Sequence, residues 1–167
     1  MAECVSRAEL DRRLEEFKAA SKRAGVKLTH QRLEVFREVA ASLEHPDAEM
    51  VFKALQPRMP TLSLDTVYRA LSVLSEIGIV NPLGPRRESV RFDANLATHH
   101  HYVCLRCGMT RDFESEALAD VEVPAEVRKL GSVQVMQIEV RGLCARCART
   151  SREAREPQTT TTRRRRK

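Results

Sequence analysis

The sequence predicts an α+β fold in two parts: a winged helix-turn-helix unit followed by a small α/β unit stapled by a metal. Three observations carry that prediction. Four capped amphipathic segments fill the first half, and two short apolar runs around a basic turn follow them. Two matched cysteine pairs, Cys104-x-x-Cys107 and Cys144-x-x-Cys147, lie in the second half with 36 residues between them. Three successive histidines, His99, His100 and His101, end three residues before the first pair.

Ser6-Arg7-Ala8-Glu9 has the form of a capping box, with Leu10, Leu14, Phe17 and Ala24 on one helical stripe and Gly25 as its stop. Thr29 caps a second segment carrying Leu33, Phe36, Val39 and Ala40, which His45-Pro46 interrupts. Asp47 caps a third, with Val51, Phe52 and Leu55 apolar, ending before Pro57. Ser63 caps a fourth that runs to Ile77 and stops at Gly78. Its buried stripe is Val67, Ala70, Leu71, Leu74 and Ile77, and its outer face carries Asp65, Tyr68, Arg69 and Ser72. Residues 79–83 read as a strand, 84–88 as a turn with Arg86 and Arg87 at its tip, and 89–92 as the returning strand.

Helices followed by a basic hairpin suit nucleic acid. The last helix enters the major groove, where Tyr68 offers a ring to thymine methyls and Arg69 can grip guanine, while the hairpin tip rests on phosphate. Lys27, just ahead of the second helix, is a further candidate for phosphate or the minor groove. On its own, an exposed Tyr beside an Arg is an ordinary solvated face; the hairpin behind it makes the difference. Bulk charge does not make this case. The net charge of +6 resides mostly in residues 163–167, Arg-Arg-Arg-Arg-Lys, and the remainder is nearly neutral. Residues 151–167 read as a disordered polar tail, either solvated or adding salt-sensitive DNA affinity.

In the second half, residues 99–104 read as a strand, 105–108 as a knuckle turn, 109–113 as the return, 114–130 as mostly helical with a break at Pro124, and 133–141 as a strand with a bulge near Val135 and Met136. This sheet has few apolar residues to cover both faces, so a homodimer is expected, and two-fold symmetry suits palindromic DNA half-sites. Division into residues 1–92, 93–150 and the tail follows.

A two-residue gap lets both thiolates of a pair reach one ion, and two pairs complete the tetrahedral Cys₄ shell of a structural Zn²⁺ site. Disulfides are the alternative. Residues 1–8 carry Glu3 and Arg7 with no apolar run, unlike a secretory signal, so a cytoplasmic location with reduced thiols is expected and metal is preferred. No apolar run approaches membrane-spanning length. Cys4 has no assigned role. The neighbouring imidazoles are placed to hold a second, exchangeable ion.

Ser63-Leu64-Asp65-Thr66-Val67-Tyr68-Arg69-Ala70-Leu71, then Arg91-Phe92-Asp93, then His99-His100-His101-Tyr102-Val103-Cys104-x-x-Cys107-Gly108 and a late C-x-x-C closely resemble, in this order, the ferric uptake regulator superfamily, and within it most nearly the peroxide-sensing (PerR) branch. The resemblance spans about residues 10–150. It implies a dimeric repressor whose structural zinc holds the dimerisation domain and whose regulatory Fe²⁺ or Mn²⁺ clamps the two domains into a DNA-binding shape. The cysteines match the zinc ligands. His99, His101, Asp93 and Asp112 match regulatory ligands, an aspartate at 112 being typical of peroxide sensors. Tyr68, Arg69 and Lys27 match DNA contacts. The family's fifth regulatory ligand is expected in the helix after Thr29-His30-Gln31-Arg32; the matching position is Leu33, and His30 is the candidate substitute. Met136 and Gln137 stand where a further metal site would need a histidine, so none is expected there.

Within the superfamily the alternative is an iron- or zinc-uptake regulator without peroxide sensing. A zinc hydrolase would need a catalytic base, and no H-E-x-x-H or H-x-E occurs; His100 also faces away from His99 and His101 along a strand. A zinc-ribbon interaction module explains the cysteines but not the winged half or Asp93 and Asp112. The expectation is therefore a DNA-binding regulator, not an enzyme.

Overall fold

A computed structural model of the chain describes residues 4–83, 90–119, 121–133, 136 and 138–153. Its first part is four helices, α1 (Arg7–Arg23), α2 (His30–Ala41), α3 (Ala48–Leu55) and α4 (Leu64–Glu76). Each begins where a side-chain oxygen takes an otherwise unpaired N–H of the first turn. Ser6 accepts from Glu9 N, Thr29 from Arg32 N, Asp47 from Met50 N and Ser63 from Thr66 N. The expected capping box forms only by half. The Glu9 carboxylate does not return to the cap but binds Arg12 and Arg13, because two guanidiniums outbid one backbone amide. Arg13 is then buried and donates to Ala40 O at 3.1 Å, tying α1 to α2.

Phe17 of α1 stacks on Phe36 of α2 with centroids 4.7 Å apart. Around them Val35, Val39, Val51, Leu55, Val67, Leu71 and Leu74 close one apolar core. Gly25 and Gly78 follow α1 and α4 at φ +65° and +71°, with open space around each. The positive φ alone makes glycine the fitting residue at both stops.

The wing is a two-stranded antiparallel ribbon, β1 (Asn81–Leu83) and β2 (Arg91–Asp93), with Asn81 opposite Asp93 and Leu83 opposite Arg91. It is shorter than the expected 79–83 and 89–92 strands. Ile79 and Val80 are bends buried in the helical core instead, since burial there gains more than extending a ribbon that has only one face to cover. The hairpin tip, including Arg86 and Arg87, lies outside the described residues.

The second part is a three-stranded sheet in the order β4-β3-β5, with β3 (His100–Cys104), β4 (Thr110–Phe113) and β5 (Glu139–Gly142). Strands β3 and β4 are antiparallel, with His101 opposite Asp112; β3 and β5 are parallel, with Cys104 opposite Gly142. Helices α5 (Glu116–Ala119) and α6 (Ala125–Arg128) lie between β4 and β5, and α7 (Ala145–Glu153) follows. One expectation is corrected here. Among the described residues the 114–130 segment forms two four-residue helices, separated by residues outside any regular element and by Pro124, which has no N–H to continue a helix. Of the expected 133–141 strand, Glu139–Gly142 pair with β3 and Ile138 O accepts from His101 N at 3.0 Å, while residues 134, 135 and 137 lie outside the described residues. Of the expected bulge, Val135 lies outside the described residues.

Candidate metal centres

The parallel register of β3 and β5 puts the ends of both strands side by side, so the two C-x-x-C turns leave the sheet at the same end. The four sulfurs of Cys104, Cys107, Cys144 and Cys147 lie within 4.8 Å of one another. Cys107 Sγ and Cys144 Sγ are 3.9 Å apart, nearly twice the length of a disulfide bond, and all four are free thiols. A tetrahedral shell with metal–sulfur bonds of about 2.3 Å has edges of about 3.8 Å, so the arrangement fits zinc.

The surrounding backbone prepares the sulfurs unequally. The N–H of Cys144, 3.3 Å from Cys104 Sγ, heads the interactions that lower the Cys104 thiol to about 6. The N–H of Met109 leads those that lower Cys107, while burial pushes Cys147 up to about 12. Four thiolates this close repel one another, and only a shared cation lets the last proton leave.

A second group gathers at the junction of the two parts. His99, His101 and Asp112 form one triad within 4.8 Å; His45, Asp93 and His101 form another. His101 belongs to both, so five side chains surround one small volume. The contacts are His45 Nε2 to Asp112 Oδ1 at 2.5 Å, His99 Nε2 to His101 Nε2 at 3.0 Å, and His99 Nε2 to Asp93 Oδ2 at 2.9 Å. His101 Nε2 stands 3.5 Å from both Asp93 Oδ2 and Asp112 Oδ1. His45, Asp93, His99 and His101 are each less than 5% exposed.

Two features mark this as an ion cradle rather than a hydrogen-bond network. Asp93 Oδ2 is buried without a well-formed hydrogen bond although His99 Nε2 stands 2.9 Å away, so the pair meets as opposite charges. Donors about 2.1 Å from one ion and at right angles stand about 3.0 Å apart, the spacing of the two facing imidazole nitrogens. His99 Nδ1–H donates to Ala97 O at 2.8 Å, which leaves Nε2 as the lone-pair nitrogen facing the cluster once the ring is neutral. Three imidazoles and two carboxylates suit borderline to hard divalent ions such as Fe²⁺ or Mn²⁺.

Without an ion, the charges rearrange. The Asp93 carboxylate holds His99 protonated up to about 9. Burial alone would push the Asp93 carboxyl up, but His101, His99 and His45 outweigh it and hold the group below the usual carboxylate range. Asp112 behaves likewise: burial opposes, and the contact with His45 prevails.

Of the expected residues, Asp93, His99, His101 and Asp112 converge here, as do the four cysteines at their own cluster. His30 does not. It sits exposed at the start of α2, outside both groups, and Leu33 packs against the helical core. The histidine that completes the group is His45, which the sequence reading took only as a helix interruption. Its backbone is left-handed at φ +48°, a conformation that costs a non-glycine residue about 1 kcal/mol or more and turns the ring inward. The available signal was a histidine beside a proline in a short loop, which no local rule distinguishes from a turn.

On the helical face, Tyr68 is 52% exposed and Arg69 pairs with Asp65 at 2.9 Å, both side chains in solvent. Lys27 is exposed, and its carbonyl accepts from Arg32 at 2.6 Å. No helix among the described residues is long and apolar enough to cross a membrane.

Comparison with known proteins matches residues 23–141 to the sequence model of the Ferric uptake regulator family. The peroxide-responsive repressor PerR of Staphylococcus epidermidis is 37% identical over 138 residues, covering 83% of this chain and 92% of that protein. Among solved structures, the Helicobacter pylori ferric uptake regulator, described with three functional metal-binding sites, shares the fold with TM-score 0.67 at 23% identity, over 89% of this chain and 97% of that one. A zinc uptake regulator complexed with zinc and DNA superposes with TM-score 0.59 at 25% identity, over 86% and 97%.

Proposed function

The chain belongs to the ferric uptake regulator family, and from that premise we propose that it is a metal-dependent transcriptional repressor of the peroxide-responsive kind, binding DNA as a homodimer in the cytoplasm. Residues 1–92 read DNA, 93–150 bind zinc and dimerise, and 151–167 form a basic tail. Zn²⁺ held by Cys104, Cys107, Cys144 and Cys147 is structural. Fe²⁺ or Mn²⁺ is regulatory, with His45, Asp93, His99, His101 and Asp112 as its ligands. Tyr68, Arg69 and Lys27, with Arg86 and Arg87 of the wing, contact the duplex. We assign no catalytic turnover to the chain.

The observation that carries this reading is the meeting of His45, from the loop ahead of α3, with four donors on or beside β2, β3 and β4. When bound, the ion supplies the positive charge that holds the five donors together and, as Fe²⁺, the electron that reduces peroxide. The chain does the rest. Helix α3 packs on α4 within one core, so the position of His45 sets where Tyr68 and Arg69 stand relative to the sheet. In a dimer that angle fixes the separation of two reading helices, which must match half-sites about 34–36 Å apart. Loss of one imidazole donor to oxidation loosens the angle and releases the operator.

The test is fluorescence anisotropy with a duplex selected from a random pool by the Mn²⁺-loaded protein. The wild type should bind it in the presence of Fe²⁺ or Mn²⁺ and lose it on chelation, and His101→Ala should not respond to either ion. Brief peroxide on the iron-loaded protein should add oxygen mass to His99 or a neighbouring ligand. Metal-independent DNA binding would end the repressor reading; absence of added oxygen would leave a metal-responsive repressor that does not sense peroxide.

A further inference from the structure

The loop that carries His45 is gripped by two arginines that are not themselves ion donors. From β2, Arg91 Nη1 donates to Glu44 O at 3.1 Å and to His45 O at 3.0 Å. From β4, Arg111 Nη1 donates to Leu43 O at 3.4 Å, and its Nη2 pairs with Glu44 Oε1 at 3.1 Å. Three successive carbonyls, Leu43, Glu44 and His45, are thus held by guanidinium groups. Phe92 N donates to Pro46 O at 3.1 Å and the backbones of Asp47 and Arg91 meet in an isolated antiparallel β-bridge, which closes the grip on the far side.

The placement along the strands is the point. Arg91 stands two residues before Asp93 on β2, and Arg111 immediately before Asp112 on β4. Each strand that offers a carboxylate to the ion cradle also offers a guanidinium to the backbone of the loop that offers the imidazole. The guanidinium is always charged and reaches two acceptors at once, so its hold on the backbone carbonyls needs no metal. It also explains how a histidine is kept in a left-handed backbone conformation, since that conformation persists only where the surroundings over-determine it.

We infer that Arg91 and Arg111 are positioning residues that preset His45 against Asp93 and Asp112 before any ion arrives. The inference rests on the five-donor site proposed above and deepens it. A preset loop means that the ion meets a cradle already assembled, and its affinity is not reduced by the rarity of a competent conformer. Arg111 is the more informative of the two, because it joins the sheet to the loop without taking part in the wing.

The test is Mn²⁺ affinity of the full, zinc-loaded chain, read by electron paramagnetic resonance of free Mn²⁺. A double-mutant cycle against His45→Asn separates positioning from general loosening, since asparagine tolerates the left-handed backbone. Arg91→Met should weaken Mn²⁺ about tenfold and Arg111→Met about threefold, while in the His45→Asn background each should change affinity less than about twofold. Arg91→Lys should recover part of the loss. Unchanged Mn²⁺ affinity in both arginine variants, or equal losses with and without His45, overturns the inference. If Arg91→Met loses zinc or helicity, Arg111→Met and Glu44→Gln decide by the same cycle. Mn²⁺ binding that ignores His101→Ala removes the site itself; binding that needs His101 but ignores the arginines removes only the strap.

Discussion

Replacing His45 by asparagine tests the part of the centre that unites the two halves of the chain. The substitution keeps the left-handed backbone accessible and removes the imidazole, leaving an amide that is a much weaker donor for a divalent ion. The lost ring is 2% exposed, lies 2.5 Å from Asp112 and packs edge-on to His101 with centroids 5.1 Å apart. Water therefore has little access to take its place. Changing a group that merely orients a metal ligand costs 10–100-fold in affinity, so losing a ligand should cost at least about 100-fold, or ~2.7 kcal/mol. Of the four remaining donors, three lie on or beside β3 and β4 and only Asp93, on the wing strand β2, is tied to the helical half, so an ion bound there no longer reports on the α3 loop. Metal typically shifts a coupled equilibrium by about 5–150-fold, and this gain in DNA affinity should fall to the low end of that range, about fivefold or less, in the variant. Isothermal titration with Mn²⁺ and anisotropy on a selected duplex measure the two quantities. The zinc content should stay at the wild-type level, and His30→Ala should behave as wild type in both assays. Wild-type Mn²⁺ affinity together with a retained DNA response in His45→Asn would refute the reasoning.

Four further outcomes follow from the structure. Because Asp93 raises His99 to about 9 from an ordinary 6.5, the metal-free protein carries an imidazolium there at pH 7. Ion uptake must expel that proton, and titrations in buffers of different ionisation enthalpy should show proton release; release near zero at pH 7 contradicts the assignment. The sign for stability is that this charge stabilises the metal-free fold fully below pH 6.5 and progressively less as pH rises through about 9, so chelated protein should melt lower at pH 9 than at pH 6, with the ion-loaded protein less affected. At Gly142 an added Cβ would lie 2.9 Å from the Tyr102 hydroxyl, so Gly142→Ala should lower the thermal midpoint and Tyr102→Phe should recover most of the loss; independent, additive losses would show that the clash is not the cause. Tyr68→Ala removes a ring that the core does not use, so the melting temperature should hold while DNA affinity drops at least tenfold, and a drop in stability instead would place Tyr68 in the packing.

What could be read from the sequence was mostly local. Ser6, Thr29, Asp47 and Ser63 were legible as caps because a cap is decided within three residues. The cysteines were legible because a two-residue gap fixes both sulfurs of a pair near one point, whatever the rest of the chain does. His45 was not legible. Its partner Asp112 is 67 residues away, and the two meet only through the β3–β4 register, the arginine grip and an unusual φ, none of which leaves a local pattern. His30 looked better by spacing alone, but helix α2 turns it to solvent.

The parallel pairing of β3 with β5 has a consequence for how the protein is born. A chain emerging from the ribosome has every residue of the helical core by the time Ala94 appears, so that half can settle at once. The sheet must wait for Cys147, because its last ladder and its final sulfur are both supplied by the far end of the chain. During that interval the helical half is complete while the ladder that carries His101 and the shell of sulfurs still lack their last members, so the two halves mature at different times.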